Sequence, residues 1–168
     1  MHQYAKRATA AAVASIAALG LPMVGPLGQT AVADTTLVLF EHDTEQHVVD
    51  VGQPGPGPGD QFIFAGDLFD RPGGVFLGRT AGVCTTLTGN DKAGQQACGV
   101  TMNLPGGQIA VQGLADTAAL LGRGDTVPFY IAGGNGIYRD ARGDATVQVP
   151  PDVPNEVDAN FVLNVVTG

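Results

Sequence analysis

Two histidines and three carboxylates close together in the sequence have the residue types of a metal site. They form the segments Glu41-His42-Asp43 and Glu45-Gln46-His47. Residues five apart on an extended strand project to opposite faces, so His42 and His47 could bind one ion only across a bulge. The spacing therefore predicts no bound metal, and no other part of the sequence predicts a cofactor.

An arginine interrupts an apolar strand pattern in the middle of the chain. Arg79 shares one face of the predicted strand with Val75, Leu77, Ala81 and Val83. On the inner face of a barrel, this arginine would be a ligand-binding candidate. On the outer face, it would be solvated or would lie in an interface between subunits. The pattern alone favours neither face.

Serine hydrolase chemistry and phosphate-loop chemistry are excluded by residue type and order. The single serine, Ser15, lies in the N-terminal segment, which leaves no serine nucleophile beside a base. The glycine-rich stretch 133–136 precedes a strand pattern rather than a helix, and it lacks the Lys-Ser/Thr ending of a phosphate loop. The residues therefore do not spell out a reaction by themselves.

Two cysteines flank a turn that is rich in Gly, Asn and Asp. Cys84 and Cys98 lie on either side of residues 88–94, an arrangement that predicts a hairpin closed by a disulfide. A loop of this length gains about 3 kcal/mol of stability in the chain-entropy description. A redox role is the other interpretation, but such pairs usually have the C-x-x-C spacing, which is missing here.

Strand patterns account for nearly all of the chain after residue 34, and each is bounded by Gly, Pro, Asn or Asp. Only residues 116–121 could form a helical turn, and the Pro-Gly repeat at 54–59 predicts an extended, exposed flap. We predict strands at Thr35–Asp43, continuing as His47–Val51, and at Gln61–Phe69, Val75–Leu87, Gln95–Leu104, Gln108–Ala115, Thr126–Ala132, Gly143–Val149 and Asn160–Val166.

Eight short strands without a helical layer must bury their apolar sides against one another, in an antiparallel barrel or a sandwich. In the second strand Phe62 and Phe64 alternate with Ile63 and Ala65, so both faces are apolar. We therefore predict an all-β fold, and a closed antiparallel barrel with an apolar lumen would explain both apolar faces. The apolar outer face predicts a homo-oligomer, a trimer or a dimer.

The first 33 residues have the three parts of a secretory signal peptide. Lys6 and Arg7 precede the apolar run 8–21, and Ala31-Val32-Ala33 provides a cleavage pattern. We expect cleavage after Ala33, secretion to the extracellular medium, and one barrel domain at 34–168. That domain has six basic and sixteen acidic residues, which makes nucleic acid and anionic membrane surfaces poor partners.

Three ordered motifs resemble those of dirigent proteins and of the wider group of allene oxide cyclase-like barrels. They are Leu77-Gly78-Arg79-Thr80-Ala81-Gly82, residues 107–113 and residues 133–143, within a resemblance that covers 37–149. The resemblance implies a calycin-type, eight-stranded antiparallel barrel with a hydrophobic cavity, often assembled as trimers. In this group, plant dirigent proteins steer phenoxy-radical coupling, allene oxide cyclases close an epoxide into a cyclopentenone, and bacterial relatives include polyketide cyclases.

The resemblance also implies roles for individual residues. Asp43 matches an aspartate that serves as an acid in the dirigent cavity, and Arg142 matches an arginine placed among the cavity residues. A carboxyl group enclosed by apolar walls has a raised pKa and can deliver a proton, while an enclosed guanidinium stabilises an oxyanion. Asp43 and Arg142 are therefore the catalytic candidates, and the ligand-binding candidates are Arg79, Phe62, Phe64 and Tyr138.

Together these observations predict a secreted barrel that binds a small apolar or aromatic molecule in its lumen. It would act without a cofactor, as a cyclase-like or isomerase-like enzyme or as a dirigent-like guide of a reactive intermediate. The alternative is a non-catalytic extracellular carrier or interaction module. Small inward-facing residues would favour a cavity, whereas a lumen packed by Phe62, Phe64 and Phe161 would favour the inert module.

Overall fold

The computed structural model describes residues 33–121, 124–150 and 158–168. Residues 1–32, and with them nearly all of the predicted signal peptide, lie outside the described residues. Across the described ranges, no helix is long and apolar enough to cross a membrane.

Eight strands form one closed antiparallel barrel, in which each strand pairs with its neighbours in sequence and the last pairs with the first. The predicted fold class is therefore confirmed. The predicted strands Thr35–Asp43 and His47–Val51 are one continuous element. The strands are β1 (Ala33–Val49), β2 (Gln61–Phe69), β3 (Phe76–Gly89), β4 (Gly94–Leu104), β5 (Gly107–Asp116), β6 (Thr126–Gly134), β7 (Arg142–Gln148) and β8 (Ala159–Thr167).

A bulge in β1 changes which of its residues face the lumen. The register of β1 against β2 shifts between Asp43 and Glu45. Before the shift the odd-numbered Glu41 points inward, and after it the even-numbered Gln46 and Val48 line the lumen. One extra residue reverses the alternation of inward and outward side chains.

The mouth of the barrel is covered by the β1–β2 connection and by one short helix. The helix, α1, spans Thr117–Leu120 and is capped by Asp116, whose side chain accepts hydrogen bonds from the backbone of Ala118 and Ala119. This is the helical turn that the sequence predicts. The β1–β2 connection, residues 50–60, contains the Pro-Gly repeat and is called the flap below.

The opposite end of the barrel is closed by packing. A 3-10 turn at Gly136–Tyr138 lies in the β6–β7 connection, and its Ile137 amide donates to the Gly106 carbonyl in the β4–β5 turn. Above this end the lumen is filled by apolar side chains that are almost wholly buried: Leu39, Leu68, Met102, Ile109, Val111, Leu163 and Val165.

The predicted disulfide is confirmed. Cys84 on β3 and Cys98 on β4 are register partners with Cα atoms 4.0 Å apart, and their sulfurs are bonded. Both cysteines are buried and line the lumen. The bridge therefore joins two neighbouring strands on the inner wall and encloses the turn between them.

Candidate functional site

The mouth half of the lumen is an open cavity of about 520 Å³. Four phenylalanines from three strands, β2, β6 and β8, form much of its apolar wall, and the rings of Phe62 and Phe64 stack with their centroids 5.7 Å apart. The predicted ligand-binding residues Phe62 and Phe64 thus border open space and do not fill it. The apolar wall consists of Phe62, Phe64, Val100, Phe129, Val147 and Phe161.

One carboxyl group projects into this apolar cavity. Glu41, in the middle of β1, is only 2% exposed and lines the cavity wall. Its Oε1 atom has no hydrogen-bond partner among the described residues. A buried polar atom without a partner is costly for the fold, so such an atom beside open space is well placed to bind a ligand or a water.

Burial keeps Glu41 protonated at neutral pH. Removal from water, together with the nearby negative charges of Asp43 and Asp158, raises the pKa of the Glu41 carboxyl from 4.5 to about 8. At pH 7 the group is therefore mostly neutral and carries a proton that it can donate. A neutral acid among phenylalanine rings can protonate or hydrogen-bond an oxygen atom of an apolar substrate.

Glycines on the inner wall make room for the cavity side chains. A Cβ atom at Gly66 would lie 2.9 Å from Glu41 Cγ, and one at Gly113 would lie 2.5 Å from Phe129 Cδ1. Real Cβ atoms do not approach other heavy atoms this closely. Glu41 and Phe129 are thus placed against the bare backbone of a neighbouring strand.

A second buried polar atom without a hydrogen-bond partner among the described residues lies at the mouth. Thr117, the first residue of α1, is fully buried and lines the cavity. Its hydroxyl oxygen has no hydrogen-bond partner within residues 33–121, 124–150 and 158–168. Glu41 Oε1 and the Thr117 hydroxyl are therefore two buried, unpartnered polar atoms of the cavity lining that a ligand could bind.

The sequence pattern of the allene oxide cyclase barrel like domain matches residues 36–163. The chain belongs to this family. The resemblance seen in the sequence motifs is thus confirmed, and membership accounts for the closed eight-stranded barrel. No curated protein matches the chain.

Solved structures with a similar fold include enzymes and dirigent proteins. Pyocyanin demethylase is 24% identical with a TM-score of 0.63, over 78% of this chain and 99% of that one. The Diels-Alderase AbmU from Streptomyces koyangensis is 23% identical with a TM-score of 0.60, over 80% and 70% of the two chains. The pterocarpan synthase dirigent protein GePTS1 is 16% identical with a TM-score of 0.65, over 84% and 89%. At these identities the likeness establishes the fold.

In this member of the allene oxide cyclase-like family, Asp43 does not line the cavity. Its carboxylate accepts hydrogen bonds from the Glu45 amide and from Gln46 Nε2, at 3.1 and 2.8 Å. The group therefore fastens the bulge of β1. The expectation that Asp43 is the acid in the lumen is corrected, because Asp43 is not among the residues that line the cavity, whereas Glu41 is buried in its wall.

Arg142 lies outside the cavity, at the closed end of the barrel. Its side chain is exposed and donates to the Gly168 carbonyl. Arg142 and Asp34 both pair with Val166, and Asp43 is nine residues further along β1. At 3.3 Å per residue, Arg142 and Asp43 are separated by about 30 Å. The structure does not bring the two predicted catalytic residues together.

Two of the predicted ligand-binding residues also lie away from the cavity. The Arg79 side chain is 80% exposed and points outward, with its Nε 3.5 Å from Asp67 Oδ1. Tyr138 belongs to the 3-10 turn at the closed end and packs beneath the core. The two interpretations of Arg79 are therefore decided in favour of the outer face.

The residues that suggested a metal site instead make pairwise contacts. His42 Nδ1 lies 3.0 Å from Asp158 Oδ1, and His47 Nε2 lies 2.9 Å from Glu45 Oε1. Within the described ranges, no group of three or more His, Cys, Asp or Glu side chains could hold a metal ion. These contacts connect β1 to the start of β8 and to its own bulge.

The sequence predictions assign no role to Glu41 or Thr117. A signal for Glu41 exists, because it alternates with Leu37 and Leu39 and so belongs to the inward face of β1. No comparable signal exists for Thr117. Its burial depends on α1 closing over the mouth, which is a tertiary arrangement.

Proposed function

We propose that this protein binds a small apolar or aromatic molecule in the mouth half of its barrel and guides a ring-forming reaction or rearrangement of that molecule. Glu41 acts as the acid. The observation that carries the proposal is the unpartnered Glu41 Oε1, buried at 2% exposure in the wall of an apolar cavity of about 520 Å³.

The chemistry follows from a neutral carboxylic acid in a space of low polarity. Protonated Glu41 donates a hydrogen bond to a carbonyl or ether oxygen and draws electron density from the bonds that rearrange. The phenylalanine walls hold the substrate in one folded conformation, which supplies proximity and orientation. A cyclisation in which the product is an isomer of the substrate needs no oxidant and no cofactor.

Proteins with the same fold support a reaction of this type. They include a cyclase that catalyses a [4 + 2] cycloaddition, the Diels-Alderases AbmU and AbnU, and pterocarpan synthase dirigent proteins. The names of the cyclase and of the two Diels-Alderases describe the building of a ring in a small molecule. The present cavity has the walls for such confinement, and Glu41 adds an acid.

We also propose that the protein is exported and associates with copies of itself. The Cys84–Cys98 bridge suits an oxidising compartment. The outward-facing Ile63 and Val83 are register partners, and each is 37% exposed. An intact mass of exported protein that retains residues 1–33 would contradict cleavage, and a monomer at micromolar concentration in analytical ultracentrifugation would contradict association.

The test of function begins with native mass spectrometry of the protein purified from its culture medium, followed by release and identification of any bound molecule. Turnover of that compound is then measured for wild type, Glu41→Gln and Arg142→Ala. Loss of a general acid lowers kcat by about 10²- to 10⁴-fold, whereas Arg142→Ala should leave kcat unchanged. Full turnover by Glu41→Gln would refute the acid assignment, and binding without turnover in wild type would identify a carrier.

A further inference from the structure

Among the residues that the structure describes, the ionisable side chains that line the cavity are all carboxyl groups. Three carboxylates, Asp50, Asp60 and Asp91, line its mouth, and Glu41 lies in its wall. In the described part of the chain, no Lys, Arg or His is among the lining residues. The mouth therefore attracts cations and repels anions.

Two of the mouth carboxylates are held in place by the flap. Asp50 Oδ2 accepts from the Gly55 amide at 2.9 Å. Asp60 accepts from the amides of Val51 and Gly57 at 2.8 and 2.7 Å, and these bonds lower the pKa of its carboxyl group. Asp60 is therefore ionised at neutral pH and fixed at the rim.

The described basic residues lie elsewhere on the barrel. Lys92 is exposed in the β3–β4 turn beside Asp91 and does not line the cavity. Arg71 is paired with Asp70, and Arg79 lies near Asp67 on the outer surface. The remaining two are exposed near the closed end: Arg139 and Arg142.

We propose that the ligand of this cavity is a compact aromatic cation, with a protonated or quaternary nitrogen bound at Glu41 and its rings against the phenylalanine walls. The inference rests on the proposed binding function alone and specifies the class of ligand, because a Glu41 that has released its proton is a counter-ion for the cation and not the acid of the proposed reaction. Four phenylalanines line the cavity, Phe62, Phe64, Phe129 and Phe161, and aromatic rings attract a cation through their π-systems. An anionic carboxylate or phenolate finds no counter-ion among the described lining residues.

Binding of such a cation is coupled to the ionisation of Glu41. The pKa of Glu41 is raised to about 8, so the group carries a proton at pH 7 and releases it when a cation binds beside it. Because pH 7 is one unit below that pKa, the free energy needed to ionise Glu41 weakens binding of the cation about tenfold. The attraction between the cation and the Glu41 carboxylate at contact offsets this loss. The charged or titratable groups near Glu41 are Asp43 and His42 on β1 and Asp158 before β8. Its β2 neighbours Gly66 and Leu68 do not titrate.

The test compares three naphthalene probes that share one ring system. They are trimethyl(naphthalen-2-ylmethyl)ammonium, naphthalene-2-methanol and naphthalene-2-carboxylate, measured by isothermal titration calorimetry at pH 7 and low salt. We expect the cation to bind at least about tenfold more tightly than the anion, with the neutral alcohol between them. Titration in buffers of different ionisation enthalpy should show that about one proton is released per cation bound.

Two variants separate the local charge from the overall charge of the protein. Glu41→Gln should abolish proton release and lower the affinity for the cation about tenfold, while it should change the affinity for the alcohol less than about twofold. The matched control, Asp144→Asn, removes one exposed carboxylate from the outer surface and should leave proton release and the affinity ratio of cation to anion unchanged.

The outcomes distinguish this inference from the proposed function. If the alcohol binds but the cation binds no more tightly than the anion, the proposal of a cationic ligand is refuted and the binding function stands. Equal loss of cation affinity in Glu41→Gln and Asp144→Asn would also refute a specific role for the cavity carboxyl. If none of the three probes binds, both the inference and the binding function fail.

Discussion

The Glu41 carboxyl group lies directly against the backbone of Gly66. A Cβ atom at residue 66 would be 2.9 Å from Glu41 Cγ, 3.0 Å from its Oε1 and 2.6 Å from the His42 carbonyl oxygen. Only a glycine on β2 leaves space for the acid to be buried on β1. The acid and the glycine opposite it are therefore one structural unit.

Gly66→Ala should remove this space, displace the Glu41 side chain and destabilise the barrel by about 1–3 kcal/mol, as overpacking of a tight core usually does. Urea unfolding measures the loss. The matched control is Gly99→Ala, because a Cβ atom there would approach Gln112 Cγ no closer than 4.0 Å. This control should be neutral or slightly stabilising. Equal losses for the two variants would contradict a specific contact between Glu41 and Gly66.

The strands can be predicted from the sequence because the residues that favour a strand and those that end it act locally. Gln61–Phe69 is bounded by glycine and aspartate on both sides, and the observed β2 has the same limits. Turn residues and β-branched or aromatic runs act within a few residues, so they also place the hairpin that carries Cys84 and Cys98. The lack of a helical layer then leaves a barrel or a sandwich, and the apolar residues on both faces of β2 favour the barrel.

The residues of the site are harder to predict from the sequence because their positions depend on the register between strands. Alternation from Leu39 places Glu41 and Asp43 on one face, but only Glu41 lines the cavity, while Asp43 accepts hydrogen bonds from Glu45 and Gln46 at the bulge. Alternation also shows which residues share a face with Arg79, but not which face is inside. That choice depends on inward glycines such as Gly82, against which the ring of Phe64 packs.

Gly113→Ala should push the Phe129 ring into the cavity. The three closest atoms to a Cβ at residue 113 all belong to that ring, at 2.5 to 2.9 Å. We expect the affinity for naphthalene-2-methanol to fall about tenfold, equivalent to 1.4 kcal/mol, because the space is reduced. Titration calorimetry measures the effect. The double variant Gly113→Ala/Phe129→Leu should restore binding, and failure of this rescue would show that the loss has another cause.

Removal of the disulfide should lower stability without changing the fold. The Cys84–Cys98 bridge closes a loop with a sequence separation of 14, so the Cys84→Ala/Cys98→Ala variant should lose about 3 kcal/mol. Urea unfolding of both proteins measures the difference, and far-ultraviolet circular dichroism checks that the barrel remains. Reduction of the wild-type protein should give a similar loss. A difference below about 1 kcal/mol would mean that the bridge constrains the unfolded chain little.

Glu41→Gln should change how stability depends on pH. Since burial raises the pKa of Glu41 from 4.5 to about 8, the native state keeps a proton that the unfolded chain has released between these values. The stability contributed by protonated Glu41 is complete below pH 4.5 and declines as pH rises through about 8. Glutamine does not titrate. As pH rises through this window, the variant's free energy of unfolding should therefore increase relative to that of wild type by up to about 1.4 kcal/mol per pH unit. Urea unfolding from pH 5 to pH 9 measures this difference, and a constant value throughout would show that the buried carboxyl has an ordinary pKa.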